Sequence, residues 1–126
     1  MKWEFQNDAP IYTQLITQIK LGIVTGFFPA GQRLPSVREL AAQAGVNPNT
    51  MQRAFAELER QCLVYSQRTA GRFVTEDKEM IENVKKELAQ THIQTFLKAM
   101  HHLGYEKQEI LSLLDQIETE EILCQS

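Results

Sequence analysis

Three observations predict a mainly α fold with one small β-hairpin. Apolar residues recur at helical spacing over about 10–25, two further helix starts follow at Ser36 and Asn47, and two β-prone runs, 63–66 and 72–75, come directly after them. Helix, paired short helices and hairpin, in that order, predict a winged helix-turn-helix domain over 1–75. A further amphipathic stretch predicts a C-terminal helical hairpin over 76–126. A length of 126 residues suits one small domain with an appendage.

Lys2-Trp3-Glu4-Phe5 alternates polar and apolar, the pattern of a short extended arm with Trp3 and Phe5 on one face. Asp8-Ala9-Pro10 opens the first helix, because proline is tolerated in a first turn. Its stripe is Ile11, Leu15, Ile19 and Ile23, flanked by Tyr12, Ile16 and Val24, and Gly26 stops it. Phe27-Phe28-Pro29-Ala30-Gly31 reads as a turn whose two aromatics pack inward.

Ser36-Val37-Arg38-Glu39 is a capping box, in which the serine oxygen accepts from the Glu39 N–H while the Glu39 carboxylate reaches back. This short helix spans about 37–43 and ends near Gly45. Asn47 caps the next, with Pro48 at its first position, and that helix runs to about Gln61. Leu63-Val64-Tyr65-Ser66 and Arg72-Phe73-Val74-Thr75 form the hairpin around a tip at 67–71. Beyond Glu76, the apolar positions Ile81, Val84, Leu88, Phe96, Met100 and Leu103 mark one helix, with Gly104 as its stop. Ile110, Leu113, Leu114, Ile117 and Ile122 mark a second over about 106–122.

The formal charge of −3 hides a division. Residues 1–75 carry eight Lys and Arg against five Asp and Glu, net +3, whereas residues 76–126 carry five against eleven, net −6. Six arginines lie between 33 and 72, and nucleic-acid binding depends on such local patches rather than on the total. With 43% apolar and 23% charged residues the composition is that of a globular protein. No run approaches the roughly 18 apolar residues of a membrane span. The N-terminus lacks the apolar core of a secretory signal. The two cysteines, Cys62 and Cys124, fit a reducing cytoplasm. Cys62 is expected on the core face of its helix.

On the helix over 48–61, Met51, Ala54, Phe55, Leu58 and Cys62 gather on one side at 100° per residue, leaving Asn49, Gln52, Arg53, Ala56 and Arg60 opposite, with Thr50 flanking. Amide, hydroxyl and guanidinium groups in the first two turns suit a helix whose N-terminal part enters the major groove. Arg53 can take a guanine O6/N7 edge, and Gln52 or Asn49 an adenine N6/N7 edge. Backbone N–H groups at the helix starts at Ser36 and Asn47 offer anion sites, with Arg33 and Arg38 beside the first. Arg68 and Arg72 on the hairpin are placed to follow the backbone into a minor groove. An enzyme is not expected: the sequence holds no nucleophile–base pairing, no phosphate-cradling glycine loop and no spaced metal-ligand set. His92, His101 and His102 are read as solvated or interface residues, and neither metal nor cofactor is expected.

The stretches Pro29-Ala-Gly-Gln-Arg-Leu-Pro-Ser-Val-Arg-Glu-Leu-Ala and Gly45-Val-Asn-Pro-Asn-Thr-Met-Gln-Arg-Ala-Phe-Ala-Glu-Leu-Glu, continued by Leu63-Val-Tyr and Gly71-Arg-Phe-Val, resemble the DNA-binding domain of the GntR family of bacterial transcription regulators. The likeness covers about 9–75, and Val-Asn-Pro-Asn-Thr-Met-Gln-Arg with the short tail resembles the YtrA subfamily, whose members carry two helices after the winged domain and tend to be dimers. The resemblance implies DNA contacts from Arg33, Ser36, Arg38, Asn47, Asn49, Thr50, Gln52 and Arg53, with the tip from Arg68 through Gly71 to Arg72 in the minor groove. It departs from the family at the tip, where Arg68-Thr69-Ala70-Gly71 keeps one glycine, and at Pro48, which is arginine in several relatives.

Two amphipathic helices cannot bury both stripes against each other alone. A second copy is the simplest partner, with Val84, Leu88, Phe96, Met100, Leu113, Leu114 and Ile117 at a twofold interface, the alternative being that they pack back on the chain's own winged domain. The expected function is a cytoplasmic, homodimeric, sequence-specific regulator, a repressor, on a double-stranded palindromic operator, with no membrane partner. A small-molecule effector stays open, at the dimer seam or between the two segments. The alternative is a winged-helix protein-interaction adaptor without sequence-specific DNA binding.

Overall fold

The computed structural model describes residues 1–117, with five helices and one two-stranded antiparallel sheet in the order α1 (Ile11–Val24), α2 (Val37–Ala44), α3 (Pro48–Arg60), β1 (Val64–Gln67), β2 (Gly71–Val74), α4 (Lys78–His102), α5 (Lys107–Asp115). The mainly helical fold with one hairpin is therefore the one the sequence predicts. Ile122 of the expected last helix and Cys124 lie outside the described residues. The chain divides into two compact units, Met1–Lys86 and Glu87–Ser126.

The first unit is built on α3, which packs against both α1 and α2. Leu15, Ile19 and Ile23 of α1, Leu40 and Ala41 of α2, and Met51, Ala54, Phe55 and Leu58 of α3 are all buried, joined by Phe28, Leu34, Leu63, Val64 and Val74. Close approach of α1 to its following turn requires Gly22, since a Cβ there would stand 2.6 Å from Cδ2 of Phe28. Of the two turn aromatics only Phe28 goes inward. Phe27 is 55% exposed and meets Phe28 edge-on at 5.1 Å, because one ring fills the space over Gly22.

The N-terminal arm is held by helix side chains rather than by a strand. Gln18 accepts from the Glu4 N–H at 3.2 Å and donates to the Glu4 carbonyl, and Gln14 does the same for Gln6 at 2.8 and 2.9 Å. Trp3 and Phe5 stack at 6.5 Å, as their alternation predicts.

The hairpin pairs Val64 with Val74, Tyr65 with Phe73, Ser66 with Arg72 and Gln67 with Gly71. A third extended segment joins it. Arg33 bridges to Phe73, the Leu34 N–H donates to the Arg72 carbonyl at 2.8 Å and the Val74 N–H to the Gln32 carbonyl at 3.0 Å. Helix α3 ends at Arg60, and Cys62 takes φ +65° in the turn to β1, so its side chain is exposed. That corrects the expected core position: helical spacing no longer applies two residues past the helix end.

At the start of α4, Asp77 accepts from the Met80 N–H at 3.1 Å. In the second unit, Gly104 at φ +94° turns the chain and Glu109 accepts from the Glu106 N–H at 3.0 Å before α5. Ile110 is buried there, while Ile93, Phe96, Leu97, Leu103, Leu111, Leu114 and Ile117 are exposed.

Candidate nucleic-acid interface

The capping chemistry that sets α2 and α3 also sets the polar atoms at their starts. Ser36 Oγ accepts from the Glu39 N–H at 3.1 Å and the Ser36 N–H meets Glu39 Oε1 at 3.5 Å, completing the capping box. Among the described residues the Val37 and Arg38 N–H groups have no acceptor, and the Ser36 hydroxyl proton is still available. The N-terminus of α2 is therefore an open donor cluster.

The start of α3 differs. Pro48 has no N–H, the Asn49 N–H donates to Asn47 Oδ1 at 2.7 Å, and the Thr50 and Met51 N–H groups donate to the Asn47 carbonyl at 3.0 and 3.1 Å. The anion site expected from backbone N–H groups at Asn47 is thus filled by the chain itself. Polar side chains remain: Asn47, Asn49, Gln52 and Arg53 are exposed and Thr50 half-buried, opposite the buried Met51, Ala54, Phe55 and Leu58.

Arg53 is not loose. Its guanidinium carbon lies 4.7 Å over the Tyr12 ring, a cation–π contact that leaves the planar edge of the guanidinium free. Arg33, Arg38 and Arg68 are exposed and make no ion pair among the described residues. At the hairpin tip, Gly71 adopts φ +102°, and a Cβ there would stand 3.1 Å from Arg33 Nε. The one glycine kept in the tip is thus where both the backbone and Arg33 need it.

The two hairpin arginines divide. Arg68 points into solvent, whereas Arg72 turns back to α3: its Nε donates to Glu59 Oε1 at 2.9 Å, its Nη1 to Gln52 Oε1 at 3.2 Å, and its guanidinium lies 5.5 Å from the Phe55 ring centroid. Ser66, opposite Arg72 in the ladder, donates its hydroxyl to the same Glu59 oxygen. That hydroxyl, helped by Arg72 against the cost of burial, holds the Glu59 carboxyl below its ordinary range. Sequence reasoning missed Tyr12 and Glu59. The signal for Glu59 was its place one residue before the helix end, beside a hairpin whose register sets Ser66 against Arg72.

In the second unit, which begins at Glu87, Phe96, Leu114 and Ile117 are exposed and Leu88, Met100 and Leu113 half-exposed, while Val84 belongs to the first unit. Val84 is buried at 8% exposure and has little surface to offer a partner. An apolar groove of about 1080 Å³, lined by residues such as Ile93, Phe96, Leu97, Ile110, Leu111 and Leu114, lies open along this unit. His92, His101 and His102 are exposed, and among the described residues no three His, Cys, Asp or Glu side chains gather as a metal set. No helix of the described residues is long and apolar enough to cross a membrane.

Residues 11–74 match the family described as bacterial regulatory proteins, gntR family. The chain is 41% identical over 108 residues to the HTH-type transcriptional regulator YhcF of Bacillus subtilis (strain 168), covering 86% of this chain and 89% of that protein. It is 31% identical to the HTH-type transcriptional repressor YtrA of the same organism, over 89% of this chain and 87% of the other. A GntR family transcriptional regulator from Listeria monocytogenes superposes with a TM-score of 0.81 at 41% identity, over 90% of this chain and all of that one. The structure of AraR(DBD) in complex with operator ORX1 superposes with a TM-score of 0.54 at 31% identity, over 60% of this chain and 96% of that one.

Proposed function

The chain belongs to the gntR family of bacterial regulatory proteins, and from that membership we propose that it is a repressor that occupies a palindromic operator as a homodimer in the cytoplasm. The observation that carries this reading is the exposed start of α3, where Asn49, Gln52 and Arg53 stand on the face opposite a fully apolar one. A helix of that make-up reads base edges in the major groove. Arg33, Ser36, Arg38 and Arg68, with the free N–H groups of α2, supply sequence-independent phosphate contacts, and Asn47, Thr50, Gly71 and Arg72 shape the surface around them. The DNA-binding part ends near Thr75, and assembly is served by the part of the tail that forms the second unit from Glu87 onward.

The exposed Phe96 and Leu114, which line one apolar groove with Ile93, Leu97 and Leu111, support the dimer, as does the exposed Ile117, because a monomer rarely leaves contiguous apolar surface of this kind in water. A twofold pairing of the second units, including Leu88, Met100 and Leu113, presents two α3 helices to half-sites about 10 bp, or a multiple of a turn, apart. Repression follows from occupying the operator, and an effector, where one acts, does so by changing that occupancy.

A mobility-shift titration against DNA upstream of its own gene, run beside sedimentation, tests the reading. The expected result is a sequence-selective, salt-sensitive shift by a dimer. Leu114→Asp is expected to give monomers with weakened operator binding. A protein that shifts all DNA alike, or none, overturns operator recognition, and a Leu114→Asp dimer overturns the assigned interface.

A further inference from the structure

The contact between Arg72 and Gln52 fixes which way round the glutamine amide stands. A guanidinium only donates, so the atom of Gln52 that faces Nη1 at 3.2 Å is the carbonyl oxygen. Arg72 cannot easily swing away. Its Nε is held by Glu59, its face lies against Phe55, and its side chain is only 20% exposed. Glu59 is itself pinned by Ser66. The wing therefore takes the acceptor half of Gln52, and the NH₂ half is left for whatever meets the exposed face of α3.

That orientation bears on base choice. Bidentate reading of adenine needs the amide oxygen to accept from N6–H while the nitrogen donates to N7. With the oxygen turned to the wing, that pairing is broken. Guanine instead presents O6 and N7, two acceptors side by side, which match the two N–H donors of the outward NH₂ group. A carbonyl oxygen does have a second lone pair, but taking the adenine proton requires it to face the base, and Arg72 holds it elsewhere.

We propose that Arg72 is a positioning residue that turns the Gln52 amide nitrogen outward, so that Gln52 selects guanine over adenine in each half-site. The proposal rests on the DNA-reading role of α3 given above. It separates two jobs on the hairpin: Arg68 meets the backbone of the duplex, and Arg72 sets specificity without touching DNA.

Selection of bound sequences from a random duplex pool tests this with wild type, Gln52→Ala and Arg72→Leu. Gln52→Ala is expected to flatten the preference at one base pair per half-site, which marks the position. Wild type prefers guanine over adenine there by about fivefold or more. Arg72→Leu lowers that ratio by about fivefold and leaves the other positions within about twofold, whereas a merely structural loss weakens all positions alike. If Arg72→Leu fails to fold by circular dichroism, Gln52→Glu decides: an acceptor-only carboxylate beside Arg72 loses the guanine preference, and its retention overturns the proposal. An adenine preference in the wild type, an unchanged ratio in folded Arg72→Leu, or no position dependent on Gln52 overturns it as well. A wild type that selects no sequence at all instead removes the DNA-reading role on which the proposal rests.

Discussion

The guanidinium of Arg53 lies 4.7 Å over the ring of Tyr12, so the first helix holds a side chain of the exposed face of α3. An exposed contact of this kind contributes about 0.5–1 kcal/mol. Arg53→Ala is expected to weaken cognate binding by about 1–3 kcal/mol and non-specific binding much less. Tyr12→Leu should act in the same direction by about half a kcal/mol or so, through placement rather than contact. Parallel titrations on cognate and scrambled duplexes measure both, and equal losses on the two would remove Arg53 from base readout.

The cations divide by whether their charge is already answered. Arg33, Arg38 and Arg68 have no acidic partner among the described residues, whereas Arg60 is clamped to Glu57, with Nε to Oε2 at 2.6 Å, and Arg72 to Glu59. Changing Arg38 or Arg68 to Ala should lower the slope of log affinity against log salt by about 1 each. Arg60→Ala should leave that slope unchanged. A slope that responds to Arg60 and ignores Arg68 would misplace the backbone contacts.

Gly22 sits inside α1, where Ala would normally stabilise by up to about 1 kcal/mol. Here the added methyl would lie 2.6 Å from the Phe28 ring, and overpacking of that kind costs about 1–3 kcal/mol. The crowding wins, and Gly22→Ala is expected to lower the thermal midpoint. Combining it with Phe28→Leu should recover part of the loss, which calorimetry on the single and double variants decides. A stabilised Gly22→Ala would place the ring elsewhere.

Acid sensitivity follows from two carboxyls. The Arg60 hydrogen bond, outweighing the effect of burial, brings Glu57 from 4.5 down to about 2, and the Ser66 hydroxyl with Arg72 lowers Glu59 from the same value. A depressed folded pKa adds stability that is fully present above the unfolded value and is lost as pH falls through the folded one. Stability should therefore decline from pH 4.5 downward toward about 2. The Glu57 share should shrink in high salt because that pair is open to solvent. Thermal melts across this range should show a shallower decline for Glu59→Gln, and an identical decline would remove the Glu59 network from the acid response.

Local chemistry was legible where a cause and its effect lie within one turn of chain. The Ser36–Glu39 box, the Asn47 cap with Pro48, the buried side of α3 and the hairpin that follows it all depend on neighbours three or four residues away. What escaped the sequence is set by pairings across the fold. Nothing in the pattern says that Gln14 and Gln18 will grip the backbone of the arm, or that Arg33 will lie against Gly71. Cys62 falls on the core face only when helical periodicity runs past Gln61, and there the backbone reverses its sense of turn. The inward turn of Arg72 needed the strand register, which composition does not supply.

The closed start of α3 has a consequence for how such a protein changes its target. With Pro48 lacking a donor and the N–H groups of Asn49, Thr50 and Met51 satisfied by Asn47, every bond that this end of the helix can give to a duplex comes from a side chain. The free main-chain N–H groups are at the start of α2, whose sequence can stay fixed. Under the proposed operator recognition, substitutions at 49, 52 and 53 rewrite the recognised word one letter at a time, while the hold on the duplex that makes any word readable is inherited unchanged.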